Sequence, residues 1–214
     1  FDSVTTIGAR AFAGCTQLEA LTLPDSLTTI GKGALDGLTG LKKLVIQCVP
    51  AIIPAGVFAN LPALSDVTVE FGEIPAHMFE GSGVTVLTLG AGVTEIGDSA
   101  FANTALTSAE MQNVTAIGAG AFANTALTSA EIQNVTAIGA GAFEGSALER
   151  VRLNAAASVG ERAFANTKLT KMVIPTAGSF PLSAVEGTSV ELRLPADATD
   201  EQLAAWNETL QRPW

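Results

Sequence analysis

The chain is predicted to be an α/β solenoid of about nine stacked turns closed by a C-terminal helix. Three observations predict it. A phenylalanine returns at Phe58, Phe79, Phe101, Phe122, Phe143 and Phe164, at intervals of 21 or 22 residues. The same position extends back through Leu35 to Phe12 and forward to Val185. Residues 100–120 and 121–141 are identical except for Met111 against Ile132, as expected of a unit duplicated to stack on itself. Self-similarity at this period marks a solenoid, in which each unit buries its apolar interior only against its neighbours.

The elements of one turn follow in order. An Ile-Gly step at Ile7, Ile30, Ile96, Ile117 and Ile138 returns the chain along one face, with Ile inward and Gly supplying a turn conformation costly for other residues. The Ala-Phe corner that follows reads as a single helical or 3₁₀ turn, too short to stand alone. Two residues after each anchor stands Gly or Asn, from Gly14 and Gly37 through Asn60, Gly81, Asn103, Asn124, Gly145 and Asn166 to Gly187. Both types tolerate positive φ, so a left-handed corner is expected there. The run Leu18, Leu21, Leu23, repeated as Leu41, Leu44, Ile46 and onward, predicts a strand with these side chains inward. Stacked in register, such strands make a parallel sheet.

Residues 1–198 are assigned to the solenoid and 199–214 to a capping helix and tail. Thr199 can cap that helix, Asp200 and Glu201 suit its N-terminal dipole, and Leu203, Trp206 and Leu210 form one stripe before Pro213 ends it. No comparable cap precedes Val4, so further turns are expected ahead of Phe1.

The formal net charge is −10, and its placement is uneven. Ten carboxylates and no Lys or Arg fall between Leu44 and Glu149, while the flanking segments each balance to zero. That field disfavours nucleic acid and anionic membranes as partners. No apolar run is long enough to span a bilayer. Cys15 and Cys48 sit at different offsets in adjacent turns, so free thiols are expected.

The combination Ile-Gly-x-x-Ala-Phe-x-Gly/Asn with Leu-x-x-Leu-x-Leu-Pro resembles the BspA-like, treponemal-type leucine-rich repeats. Full motifs stand at Ile7-Gly8 with Ala11-Phe12, Ile96-Gly97 with Ala100-Phe101, Ile117-Gly118 with Ala121-Phe122, and Ile138-Gly139 with Ala142-Phe143. The resemblance covers about residues 4–195. It implies a right-handed leucine-rich-repeat superhelix exported to the surface of a host-associated bacterium or mucosal protist, in proteins linked to adhesion. Ile53-Pro54, Ile74-Pro75 and Phe180-Pro181 depart from the Ile-Gly pattern, which touches the return strand more than the inward Leu face.

Chemistry is sparse. His77, the only histidine, reads as a solvent-facing corner residue without ligand partners. The stretch from Gly118 through Gly120 to Ala123 echoes a dinucleotide-binding loop but belongs to the repeat and opens no helix. No cofactor and no metal site is expected. Glu110 and Glu131 occupy equivalent outward positions one turn apart, about 5 Å from each other, and read as a solvated acidic stripe rather than a cation or acid/base site. Outward strand positions run from neutral through acidic to basic, ending in Arg150, Arg152, Lys171 and Arg193. Their long cationic heads suit an acidic protein or a sulfated polysaccharide. Aromatic anchors are missing from this surface. The chain is therefore read as a non-enzymatic, monomeric surface or secreted module that binds a host protein or glycan through these cations and Glu110 and Glu131. The alternative is a structural spacer projecting another domain.

Overall fold

The computed structural model describes residues 3–154, 157–174, 180–194, 199 and 201. The inward Leu pattern produces the front of the solenoid. Ala20–Leu23, Lys43–Ile46, Asp66–Phe71, Val86–Gly92, Ser108–Glu110, Ser129–Ile132 and Arg150–Leu153 form one seven-stranded parallel sheet. Equivalent residues lie side by side, as in Leu21, Leu44, Val67 and Leu87. Lys171–Val173 and Glu191–Arg193 pair separately, so the predicted single sheet is divided after Leu153 among the described residues.

Rings from successive turns make the axis of the core. Phe58, Phe79, Phe101, Phe122, Phe143 and Phe164 are all fully buried. Their centroids follow one another at 5.8, 5.1, 5.5, 5.4 and 5.4 Å, with planes within 12° of parallel. These separations exceed the rise of about 4.8 Å per turn, which fits the offset stacking that the ring quadrupole favours. Leu35 continues the column, and Phe12 ends it half-buried. Beneath Phe12 the first turn is open, with a hollow of about 270 Å³ among Ile7, Phe12, Leu21 and Leu23.

The corners differ from the expectation. Among the described residues the one 3₁₀ helix is Leu182–Val185, and the other corners are turns. Their hydrogen bonds explain why. The amides of Phe79, Phe101 and Phe122 donate to Ala100, Ala121 and Ala142 of the next turn at 2.9, 2.8 and 2.7 Å. Ser99 and Asn103, two residues to either side of Phe101, likewise donate upward to Ala119 and Ala123. Only the residues between them bond locally, as Ala121 does to Gly118 and Ala123 to Gly120. Donors committed between turns cannot build a helix within one. The chain is thus a parallel β-solenoid with a third stacked side of turns, and the α/β mixture is not supported. The predicted capping helix over 199–214 lies outside the described residues save for Thr199 and Glu201.

The left-handed position two residues after the anchor is present in all nine turns, with φ from 55° at Asn60 to 74° at Gly37. A second left-handed column, two residues before the anchor, was not expected. Arg10, His77, Ser99 and Arg162 occupy it at φ 59°, 60°, 54° and 57°, alongside Gly33, Gly56, Gly120 and Gly141. This alternation aims every second amide along the axis.

The Ile-Gly glycines serve a different purpose from the one expected. Gly8, Gly31, Gly97, Gly118, Gly139 and Gly160 are absent from the positive-φ residues. They are small because the turn below is close: a Cβ at Gly31 would lie 2.6 Å from the Ala9 nitrogen, and one at Gly118 2.6 Å from that of Asp98. Gly8, in the first turn, has nothing within 4 Å.

The return side shows what the proline departures do. Thr6–Ile7 pairs with Thr29–Ile30, and Glu95–Ile96, Ala116–Ile117, Ala137–Ile138 and Ser158–Val159 form a second ladder. Gly31, Gly97, Gly118, Gly139 and Gly160 each donate to the Ile of the preceding turn. Pro54 and Pro75 stand in that donor column with no N–H to give. No backbone hydrogen bond joins residues 51–54 to residues 72–75, and the return ladder is broken there while the front sheet runs on uninterrupted.

Candidate functional site

The front sheet places most of the charged residues singled out above on one outward face. Arg150 and Arg152 alternate with half-buried Val151 and Leu153 along one strand, so both guanidinium groups leave the same side. Two residues of strand put them about 6.6 Å apart at the backbone. In-register pairing sets Glu131 between Glu110 on one side and Arg152 on the other, and Ser129 beside Arg150. All four charged side chains are exposed. Glu131 accepts a hydrogen bond from Gln133 Nε2 at 3.1 Å. The arrangement is a row running acid, acid, base across three strands.

Lys171 and Arg193 lie on the separate two-stranded sheet. Arg193 is already engaged: its Nη2 and Nε donate to Glu191 Oε1 at 2.9 and 3.1 Å. The positions i and i+2 of one strand share a face, so this pair was available from the sequence spacing and was missed. Among the described residues, Arg150, Arg152 and Lys171 have no carboxylate partner within ion-pairing distance. The basic end therefore offers these three cations, with Arg193 held by its own strand.

Other charged groups serve the stack. Arg162, in the second left-handed column, reaches Glu144 Oε1 with Nη2 at 2.6 Å and Glu186 Oε2 with Nη1, clasping three successive turns. The hydrogen bond to Glu144, then the charges of Glu144 and Glu186, raise the Arg162 guanidinium above its usual value. His77 is exposed at its corner, with Nδ1 2.7 Å from Glu80 Oε2. Gly118 and Gly120 sit in a stacking position and a left-handed corner, so the dinucleotide-like spacing is a product of the repeat. Cys15 and Cys48 are both free thiols. Among the described residues no three His, Cys, Asp or Glu side chains converge to hold a metal, and no helix is long and apolar enough to cross a membrane.

A buried hydroxyl column also escaped the sequence reading. Ser82, Thr104, Thr125 and Thr167, three residues after the anchors, donate to the carbonyls of Phe79, Phe101, Phe122 and Phe164 at 2.6 to 2.9 Å. In earlier turns Leu38 and Leu61 fill the same position. A hydroxyl that bonds its own corner can be buried at little cost, so the column passes from Leu38 and Leu61 to hydroxyl residues at Ser82 and beyond without changing the fold.

The model of the BspA type leucine rich repeat region matches residues 1–107 and 72–188, with six copies. The chain belongs to the BspA-type leucine-rich repeat family. Among solved structures, this BspA-type chain is similar to a leucine-rich repeat protein from Bacteroides ovatus, at 19% identity and a TM-score of 0.50, over 91% of this chain and 76% of that one. A leucine rich cell surface protein from Faecalibacterium prausnitzii aligns at 18% identity and a TM-score of 0.39, over 99% and 87% of the two chains. A leucine-rich repeat protein from Eubacterium ventriosum aligns at 18% and 0.41, over 91% and 83%. The likeness to the Bacteroides ovatus protein is one of fold. No curated protein matches the chain in sequence.

Proposed function

We propose that this BspA-type repeat chain is a non-enzymatic recognition module, displayed on a cell surface or secreted, whose front sheet binds an acidic host protein or a sulfated glycan. The observation that supports the reading is the group of exposed cations at Arg150, Arg152 and Lys171 without carboxylate partners among the described residues. Two guanidinium forks at strand spacing can each take a carboxylate or sulfate in bidentate fashion. Glu131 and Glu110 alongside would repel an acidic ligand that slid out of register, which is a source of specificity.

Arrays of host matrix proteins and sulfated glycans test this. The wild-type chain should find a ligand, and Arg150→Glu with Arg152→Glu should weaken its binding by roughly a hundredfold, whereas Glu131→Gln should leave it equal or tighter. A chain that finds no ligand, or a ligand indifferent to the double reversal, would sink the reading.

A second reading, a spacer that holds another domain away from the surface, is favoured by the near-identical turns and the unbroken ring column. Removing residues 121–141 should then leave cooperative unfolding and the display of the attached domain intact, because the flanking turns restack in the same register. Loss of display would argue that particular turns, and not mere length, matter.

A further inference from the structure

Independently of the front sheet, we propose that the groove on the return side of the third to sixth turns, opened where the ladder is broken between the third and fourth, is a docking groove for an extended, basic segment of a partner protein. The groove holds about 890 Å³ and is floored by return segments that include Ile53, Ile74 and Ile96. This is the size of a ligand cleft, and it lies beside the unbonded junction of residues 51–54 with 72–75, where Pro75 has no donor to give.

Three independent features define the occupant. The first is the backbone. Ala51, Ile53 and Glu73 engage neither N–H nor C=O in a backbone hydrogen bond, whereas their equivalents in a later turn, Thr115, Ile117 and Ala116, are bonded. Free main-chain groups at the edge of a sheet are what an added extended chain satisfies. The second is charge. Glu73 and Glu95 hold equivalent outward positions in adjacent turns of the groove wall, Asp98 lies beside them, and no Lys or Arg occurs from Leu44 to Glu149. Opposite potential is the stated complement of such a wall. The third is an apolar rim: Ile52, between two lining residues, is 63% exposed and precedes Glu73 and Glu95 in a column that elsewhere carries Thr6, Thr29, Ala116, Ala137 and Ser158. A strand with Lys or Arg at alternate positions turns one cationic face to the groove, presenting charged heads to Glu73 and Glu95 and their methylene stems to Ile52.

The probe is a fluorescent octapeptide alternating Lys and Val, with its Glu-Val counterpart as control, titrated against the full chain by anisotropy. The Lys-Val peptide should bind and the Glu-Val peptide should not. Glu73→Lys with Glu95→Lys should weaken binding by roughly tenfold or more, and Asp25→Lys with Glu161→Lys, both exposed and outside the groove, should leave it within about twofold. Pro54→Gly with Pro75→Gly returns two donors to the ladder without changing charge, and should also weaken binding; an unchanged far-UV circular dichroism spectrum and a cooperative melt show that the fold is kept. Equal losses from the Glu73/Glu95 and Asp25/Glu161 reversals would mean general charge attraction and overturn the groove. So would glycine variants that bind as well as the wild type.

Discussion

Phe122→Ala is expected to destabilise the chain by about 3–5 kcal/mol, the largest loss from any single substitution considered. Phe122 is fully buried and lies between Phe101 at 5.5 Å and Phe143 at 5.4 Å. Truncation removes two ring contacts together with the transfer energy of one ring, and rigid backbone ladders on both sides of the core prevent the turns from closing over the hole. Phe122→Leu, which keeps much of the volume, should cost less than about 1.5 kcal/mol. Phe12→Ala should cost well under half of the Phe122 loss, since Phe12 is only half-buried over an open end. Urea unfolding monitored by circular dichroism measures all three. Equal losses at Phe12 and Phe122 would show that the rings do not act as a column.

Gly118→Ala should be the second large effect, costing about 1–3 kcal/mol as an overpacking defect. The added methyl meets the Asp98 nitrogen at 2.6 Å and the Gly97 carbonyl carbon at 2.7 Å, and backbone in the middle of a stack cannot step aside. Gly8→Ala tests the cause. Gly8 lies in the same column, without positive φ and with nothing within 4 Å, so alanine there should stabilise by about 0.4–1 kcal/mol through the unfolded chain. If backbone conformation were the reason for glycine in this column, both substitutions would be costly. Thermal melts of the two variants separate the explanations.

The contrast between these glycines shows how far residues alone carry the structure. The anchor column, the inward Leu alternation and the left-handed Gly/Asn corner were readable because each recurs with one chemical property. The column before the anchor was not, because Arg10, His77, Ser99 and Arg162 share nothing that advertises positive φ, and only contacts between turns hold them there. Glycine itself is ambiguous: it signals a special conformation at Gly14 and mere lack of room at Gly118, and a sequence records both as the same letter. Helical corners were expected from local reasoning, which does not see that Phe101 and its alternate neighbours donate to the next turn. On the front face, the strand position of Arg150, Arg152, Glu110 and Glu131 followed from periodicity, while the engagement of Arg193 by Glu191 depends on side-chain reach. The groove beside Ile53 and Ile74 was foreshadowed by Pro54 and Pro75, whose consequence needed the hydrogen-bond pattern of the surrounding turns.

The interrupted return ladder has a mechanical consequence. Under tension or bending, the turns that are tied along their front and slack behind, between Pro54 and Pro75, will flex there, while the copied turns from Phe101 to Phe143 stay stiff. The two stretches can therefore swing through a modest angle without unfolding, as a jointed boom does.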